Sequence, residues 1–106
     1  MKRDLCDRLF DFSVSVLKFL PSLPNTPELK VIRYQLAKSA TSAGANYEEA
    51  QAGSSRADFN NKTRIALREM RESNYWLRLI KATNNNIENE KLKVLISESS
   101  ELKLIL

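Results

Sequence analysis

The chain contains no histidine, and that absence removes the commonest general base and the commonest metal ligand. It has two glycines, one cysteine, and three prolines confined to residues 21 to 27. So little turn-forming material argues against a many-stranded β fold, which needs a turn roughly every 8 to 12 residues. Cys6 has no second cysteine with which to form an internal disulfide. No apolar run approaches the ~20 residues a membrane helix requires. From Lys2 to Phe12 charged and apolar residues alternate, so that stretch lacks the apolar centre of a secretory leader. These absences predict a reduced, cytoplasmic protein without a membrane span.

The side chains that remain are poorly arranged for catalysis. Cys6 sits among apolar and acidic residues with no imidazole to activate it. Gly44 and Gly53 are isolated, so no glycine-rich phosphate loop exists. Glu48 and Glu49 are neighbours in sequence and stand about 100° apart on a helix, so they do not converge as an acid and base pair does. Lys38 and Ser39 diverge for the same reason. The expectation is a protein that is not an enzyme, with no cofactor, no metal and no small-molecule substrate.

What is present is helical periodicity. A chain of 106 residues fits one domain, since two halves would each bury too small a core. In the first segment, about residues 4–20, Leu5, Leu9, Phe12, Val16 and Phe19 recur at steps of four and three and mark one helix face. Pro21 and Pro24 stop it. Thr26-Pro27-Glu28 then reads as a helix start: a capping hydroxyl, a proline where its missing N–H costs nothing, and an acid at the positive end.

The second helix, about 27–52, carries Leu29, Ile32, Leu36, Ala40, Ala43, Tyr47 and Ala50 on one stripe. Between Ala37 and Ala45 every residue but Lys38 is small, so a neighbouring helix can approach closely. Gly44 costs roughly 1 kcal/mol relative to alanine in a helix interior, which contact with a neighbouring backbone would offset; the alternative is a simple kink. Gln35, Ser39, Ser42, Asn46 and Glu49 form a polar stripe beside the apolar one, suited to hydrogen bonds across a helix interface or to lining a groove.

Gly53-Ser54-Ser55 ends this helix and caps the next, with Asp58 in the place of the usual Glu of a capping box. The third helix, about 55–83, is predicted to turn Phe59, Ala66, Met70, Ser73, Leu77 and Ile80 inward. Asn84-Asn85-Asn86 breaks it, and a shorter fourth helix, about 89–105 and starting near Asn89, presents Leu92, Leu95, Ile96, Leu102 and Ile105. No C-cap is evident at Leu106, so the natural chain is expected to continue a few residues further. Short connections between four such helices predict a single domain over residues 1–106, all-α, an antiparallel up-down four-helix bundle.

Charge is unevenly spread along these helices. Lys plus Arg against Asp plus Glu stand at 4 to 3 in residues 1–26, 3 to 3 in 27–53, 7 to 3 in 54–84 and 3 to 4 in 85–106. The third helix carries the whole excess. At 100° per residue, Arg64, Arg68, Arg71, Tyr75 and Arg78 fall within about 40° of one line, nearly opposite the inner face. Like charges one turn apart repel mildly, so an arginine line with one aromatic in it favours an external anion, for which phosphate backbones are the natural source. Lys62 and Lys81 are further candidates for the same contact. The competing reading is a solvated face answered by Glu69 and Glu72 or by a neighbouring chain. Ile65, Trp76 and Leu79 make a second apolar edge on this helix, suited either to another helix of the bundle or to a subunit interface, where Trp, Tyr and Arg are enriched.

The run Gln35-Leu36-Ala37-Lys38-Ser39-Ala40-Thr41-Ser42-Ala43-Gly44-Ala45-Asn46-Tyr47-Glu48-Glu49-Ala50 resembles the signature of the four-helix-bundle proteins encoded in intervening sequences of bacterial 23S ribosomal RNA genes. Ser55-Arg56-Ala57-Asp58-Phe59 and the run from Glu69 to Ile80 continue the match, which covers about residues 5 to 82. The resemblance implies an antiparallel four-helix bundle that assembles as a ring-like homopentamer. It also implies kinship with the accessory variability proteins of diversity-generating retroelements, which are basic pentamers that associate with a reverse transcriptase and nucleic acid. RNA or DNA, and a reverse transcriptase, are therefore the partners it implies, and it carries no catalytic residues over. Asn74 departs from the pattern, standing where a small or apolar residue is commoner, and the fourth helix matches weakly.

Two functions follow as expectations. The first is a homo-oligomeric, nucleic-acid-binding or ribonucleoprotein accessory module that uses the arginine line. The second is a protein–protein scaffold whose basic stripe pairs with neighbouring subunits or a protein partner, without nucleic acid.

Overall fold

The computed structural model describes residues 4–53, 55–84 and 90–106. They form four α-helices, α1 (Leu5–Phe19), α2 (Pro27–Gln51), α3 (Arg56–Thr83) and α4 (Glu90–Ile105), with a single 3₁₀ turn, Leu20–Ser22, after α1. No strand occurs among the described residues. Ser54, Asn85, Asn86 and the expected helix start at Asn89 lie outside them.

The helix starts follow from local chemistry. Asp4 Oδ1 accepts the amide of Asp7 at 2.8 Å, Thr26 Oγ1 accepts that of Leu29 at 3.2 Å, and Ser55 Oγ accepts that of Asp58 at 3.0 Å. Each satisfies one amide that the first helical turn would otherwise leave unpaired. The Asp58 carboxylate meets Lys62 one turn on, at 3.6 Å.

Each helix packs against the next in sequence and α4 closes back onto α1. α2 and α3, the two longest, share the most extensive contact. One core results, built from Leu9, Phe12, Val16 and Phe19 of α1, Leu29, Leu36, Ala40 and Ala43 of α2, Met70, Leu77 and Ile80 of α3, and Leu92, Leu95 and Leu102 of α4. Across the α2–α3 contact the buried hydroxyls of Ser39 and Ser73 share a hydrogen bond of 2.8 Å. The polar stripe of α2 is therefore structural at this point. Ser42 and Asn46 bond to each other along the same helix at 3.1 Å. On the opposite side Arg8 reaches from α1 to Glu98 of α4 with two hydrogen bonds, 2.7 and 3.2 Å, and to Glu101 at 3.2 Å.

The small residues of α2 admit α1. Ser13 Oγ donates to the carbonyl of Ala40 at 3.0 Å, and a Cβ built on Gly44 would lie 3.6 Å from Leu9 Cβ, Leu9 O and Ser13 Oγ alike. That is ordinary van der Waals contact, so one methyl fits. Gly44→Ala is accordingly expected to stabilise the protein by about 0.5–1 kcal/mol, the helix-propensity gain, as read by urea denaturation. A loss of stability would show that the α1 backbone cannot yield even this much.

Phe59 departs from expectation. Its periodicity places it on the inner face, yet it is 38% exposed. Asn74 bonds to Ser99 of α4; Phe59 lies 15 residues, about 22 Å, along α3 from that contact, whereas α4 extends no more than nine residues, about 14 Å, from it in either direction. Helical angle points Phe59 inward, but α4 does not reach its level and its cover is incomplete. Leu5, Tyr47 and Ile96 are half-buried at the margins of the core, and Ile105 is exposed rather than inward.

Candidate nucleic-acid interface

α3 builds the candidate site because its inner face is consumed by the core. Ala66, Met70, Ser73, Leu77 and Ile80 are buried, which turns the residues about half a turn away from them toward solvent. Arg64, Arg68, Arg71, Tyr75 and Arg78 are all exposed, in one line down the helix. Ion pairs to Arg64, Arg68 or Arg71 are absent among the described residues. Of the flanking acids, Glu72 turns to its own helix, where its Oε2 accepts the indole N–H of Trp76 at 3.2 Å. Asn61, Arg64, Ile65, Leu67, Arg68 and Arg71 line a shallow depression of about 300 Å³, in which guanidinium groups border apolar surface.

The lower half of the line is more ordered by contacts. The Arg78 guanidinium carbon lies 5.8 Å from the centre of the Tyr75 ring, within cation–π range. Tyr75 and Trp76 meet edge to face with centroids 5.2 Å apart. Arg78 Nε also donates to Asn74 Oδ1 at 2.9 Å.

The two lysines differ. Lys81 is exposed near the end of α3. Lys62 is half-buried and paired with Asp58 at 3.6 Å; two residues from Arg64, it lies about 160° around the helix from the arginine line. The geometry does not bring it to the same surface. Ile65, Trp76 and Leu79 are half-buried. Trp76 and Leu79 already rest against the core of their own bundle, so part of that edge is used within the chain.

Two features escaped the sequence reading. Asn74 is 1% exposed and its amide nitrogen donates to Ser99 Oγ at 2.8 Å and Ser100 Oγ at 3.1 Å, with a longer reach of 3.5 Å to the Ile96 carbonyl. Lys103 of α4 donates to Asn74 Oδ1 at 3.3 Å. The only sequence signal was Asn74 itself, polar in a run otherwise suited to packing. The second feature is an open groove between α1 and α2, about 720 Å³, bordered by Phe10, Val14, Leu17, Ala45 and Ala52. Phe10, Val14 and Leu17 are spaced by four and three residues on a face of α1 away from the core, a second stripe visible in the sequence.

Cys6 is half-buried, and loss of solvation, followed by the negative charge of Asp4, Glu48 and Asp7, pushes its thiol pKa up. It is held as the neutral thiol, the poorer nucleophile. Among the described residues there is no cluster of acids and cysteine able to hold a metal ion, and no helix long and apolar enough to cross a membrane.

Comparison with known proteins adds identity to this geometry. The family model described as 23S rRNA-intervening sequence protein matches residues 2–106. A crystal structure from Bacteroides thetaiotaomicron, described as a protein of unknown function from the S23 ribosomal protein family, is similar over 96% of this chain and 94% of that one, at 35% identity and a TM-score of 0.85. No curated protein matches the chain.

Proposed function

The chain belongs to the 23S rRNA-intervening sequence protein family, and from that membership we propose that it is a non-enzymatic, homo-oligomeric module that binds nucleic acid or serves a ribonucleoprotein. One observation carries this reading. Arg64, Arg68, Arg71 and Arg78 stand exposed in line on α3 with Tyr75 among them, and the nearby carboxylate of Glu72 is engaged elsewhere. Arginines spaced a turn apart match a run of backbone phosphates, and Tyr75 offers a face on which an unpaired base can stack. Lys81 extends the same charge toward the end of the helix.

The rest of the proposal follows the family. The bundle is antiparallel and up-down, in keeping with contacts that pair Leu9 with Gly44 but Ser13 with Ala40. The assembly is a homopentamer, as the resemblance implies, with Ile65, Trp76 and Leu79 completing their burial against a neighbouring subunit. The site of action is the cytoplasm, where RNA and a reverse transcriptase are both accessible.

The direct test is a salt titration with single-stranded RNA and duplex DNA, followed by fluorescence anisotropy. Binding that weakens linearly in log K against log salt, with little preference among sequences, is the expected result. No binding at low salt would reject the reading and leave the scaffold alternative. Light scattering checks the assembly separately: a monomer at high micromolar concentration would refute the subunit contact, and Trp76→Ala is expected to shift an oligomer toward smaller species.

A further inference from the structure

Arg78 and Lys103 approach each other across the contact between α3 and α4 with a neutral group between them. Both donate to Asn74 Oδ1, Arg78 through Nε at 2.9 Å and Lys103 through Nζ at 3.3 Å. An amide oxygen accepts hydrogen bonds without cancelling charge. Its orientation is held from behind, because the Asn74 nitrogen is committed to Ser99 and Ser100 and the residue is 1% exposed. The oxygen therefore cannot turn away from the cations.

The acids of α4 are directed elsewhere. Glu98 and Glu101 face α1 and pair with Arg8, while Lys103, on another side of the same helix, faces α3. Neither Arg78 nor Lys103 forms an ion pair among the described residues. Two cations collected on one neutral oxygen repel each other, and a group carrying negative charge on several oxygens relieves that repulsion by bridging them. The Tyr75 ring borders the position, 5.8 Å from the Arg78 guanidinium carbon.

We propose that Arg78 and Lys103, gathered by Asn74, form a clamp for one phosphate group, and that the backbone of a bound nucleic acid supplies it. The clamp carries the basic surface of α3 across onto α4. This inference rests on the nucleic-acid reading above for the source of the phosphate, and on the geometry alone for the clamp.

Two substitutions in the full chain test it. Lys103→Gln removes one cation. Asn74→Asp keeps the shape of the side chain but places a carboxylate between the cations, which answers one of the two charges and competes with an external anion for both donors. The probes are a single-stranded RNA oligonucleotide, read by anisotropy, and inorganic pyrophosphate, read by NMR shifts of the Arg78 Nε–H and the Asn74 amide. The wild type is expected to show saturable pyrophosphate shifts that Lys103→Gln weakens. That variant should also reduce the magnitude of the RNA salt slope by about 0.7, the value of one single-strand phosphate contact. In Asn74→Asp the pyrophosphate shifts of Arg78 should weaken as well, with a melting curve recorded to show that it folds.

RNA binding with an unchanged salt slope in Lys103→Gln, and no pyrophosphate shifts in the wild type, would overturn the clamp while sparing the nucleic-acid reading. Pyrophosphate shifts that both variants diminish, in a protein that does not bind RNA, would support the clamp and overturn the nucleic-acid source. Should Asn74→Asp fail to fold, Lys103→Gln alone decides, because Lys103 is half-exposed and its only described hydrogen bond is to Asn74.

Discussion

Replacing Arg64, Arg68 and Arg71 together with glutamine is expected to weaken single-stranded RNA binding by about 100-fold at low salt. Each exposed arginine facing a phosphate contributes about 1 kcal/mol, below the range for shielded charge-assisted hydrogen bonds because water screens the contact. Three such losses come to about 3 kcal/mol, or roughly two powers of ten. The salt slope should flatten by about 2 at the same time, since three fewer counterions are released. The fold should survive, because all three side chains are exposed and changes at such positions usually move stability by less than about 0.5 kcal/mol.

A matched control separates the line from net charge. Lys18, Lys30 and Lys38 are exposed on α1 and α2, and their joint replacement by glutamine removes the same charge from other faces. If the two triple variants lose affinity equally, the protein acts as a diffuse polycation and the arginine line has no special role. If the α3 variant binds as the wild type does, phosphate contacts lie elsewhere on the molecule.

The fold was legible where local chemistry and core packing agree. Thr26 and Ser55 cap where their sequence context places them, and the stripes of α1 and α2 are buried nearly as periodicity predicts. Gly44 faces the backbone of a neighbouring helix, as a helical glycine among small residues implies. The failures have a common cause in relations between helices. Phe59 has an inward angle but stands beyond the reach of α4 and is 38% exposed, a consequence of unequal helix lengths. Lys62 is near the arginines in sequence, but its angle puts it on another side. Lys103 belongs to a different helix, and no pattern within α3 reveals which α4 residue crosses to meet it.

Asn74 is the most instructive of these positions, because its polarity hides its burial. Polar contacts from Ile96, Ser99, Ser100 and Lys103 of α4 converge on its side chain. Asn74→Ala is therefore expected to destabilise the protein by about 2–3 kcal/mol. Part of that comes from packing lost in a buried site, and part from the Ser99 and Ser100 hydroxyls deprived of a donor. Ser99 still has the Ile96 carbonyl at 3.0 Å, and Arg78 and Lys103 can turn to water, which keeps the cost from rising further. In a chain of this size the loss corresponds to a fall of roughly 10 °C or more in melting temperature.

Hydrogen exchange locates the effect. Amides of α4 should lose protection more than those of α2, since Asn74 bonds toward α4 while the α2–α3 contact keeps its own Ser39–Ser73 bond. A drop below about 0.5 kcal/mol would mean that apolar packing of Leu92, Leu95 and Leu102 alone holds α4 in place. Uniform loss of protection across all four helices would mean that the bundle opens only as a unit. The predicted outcome lies between these: α4 docks through a buried amide whose other end gathers two cations at the edge of the basic surface, so the residue that positions the helix also positions the charge.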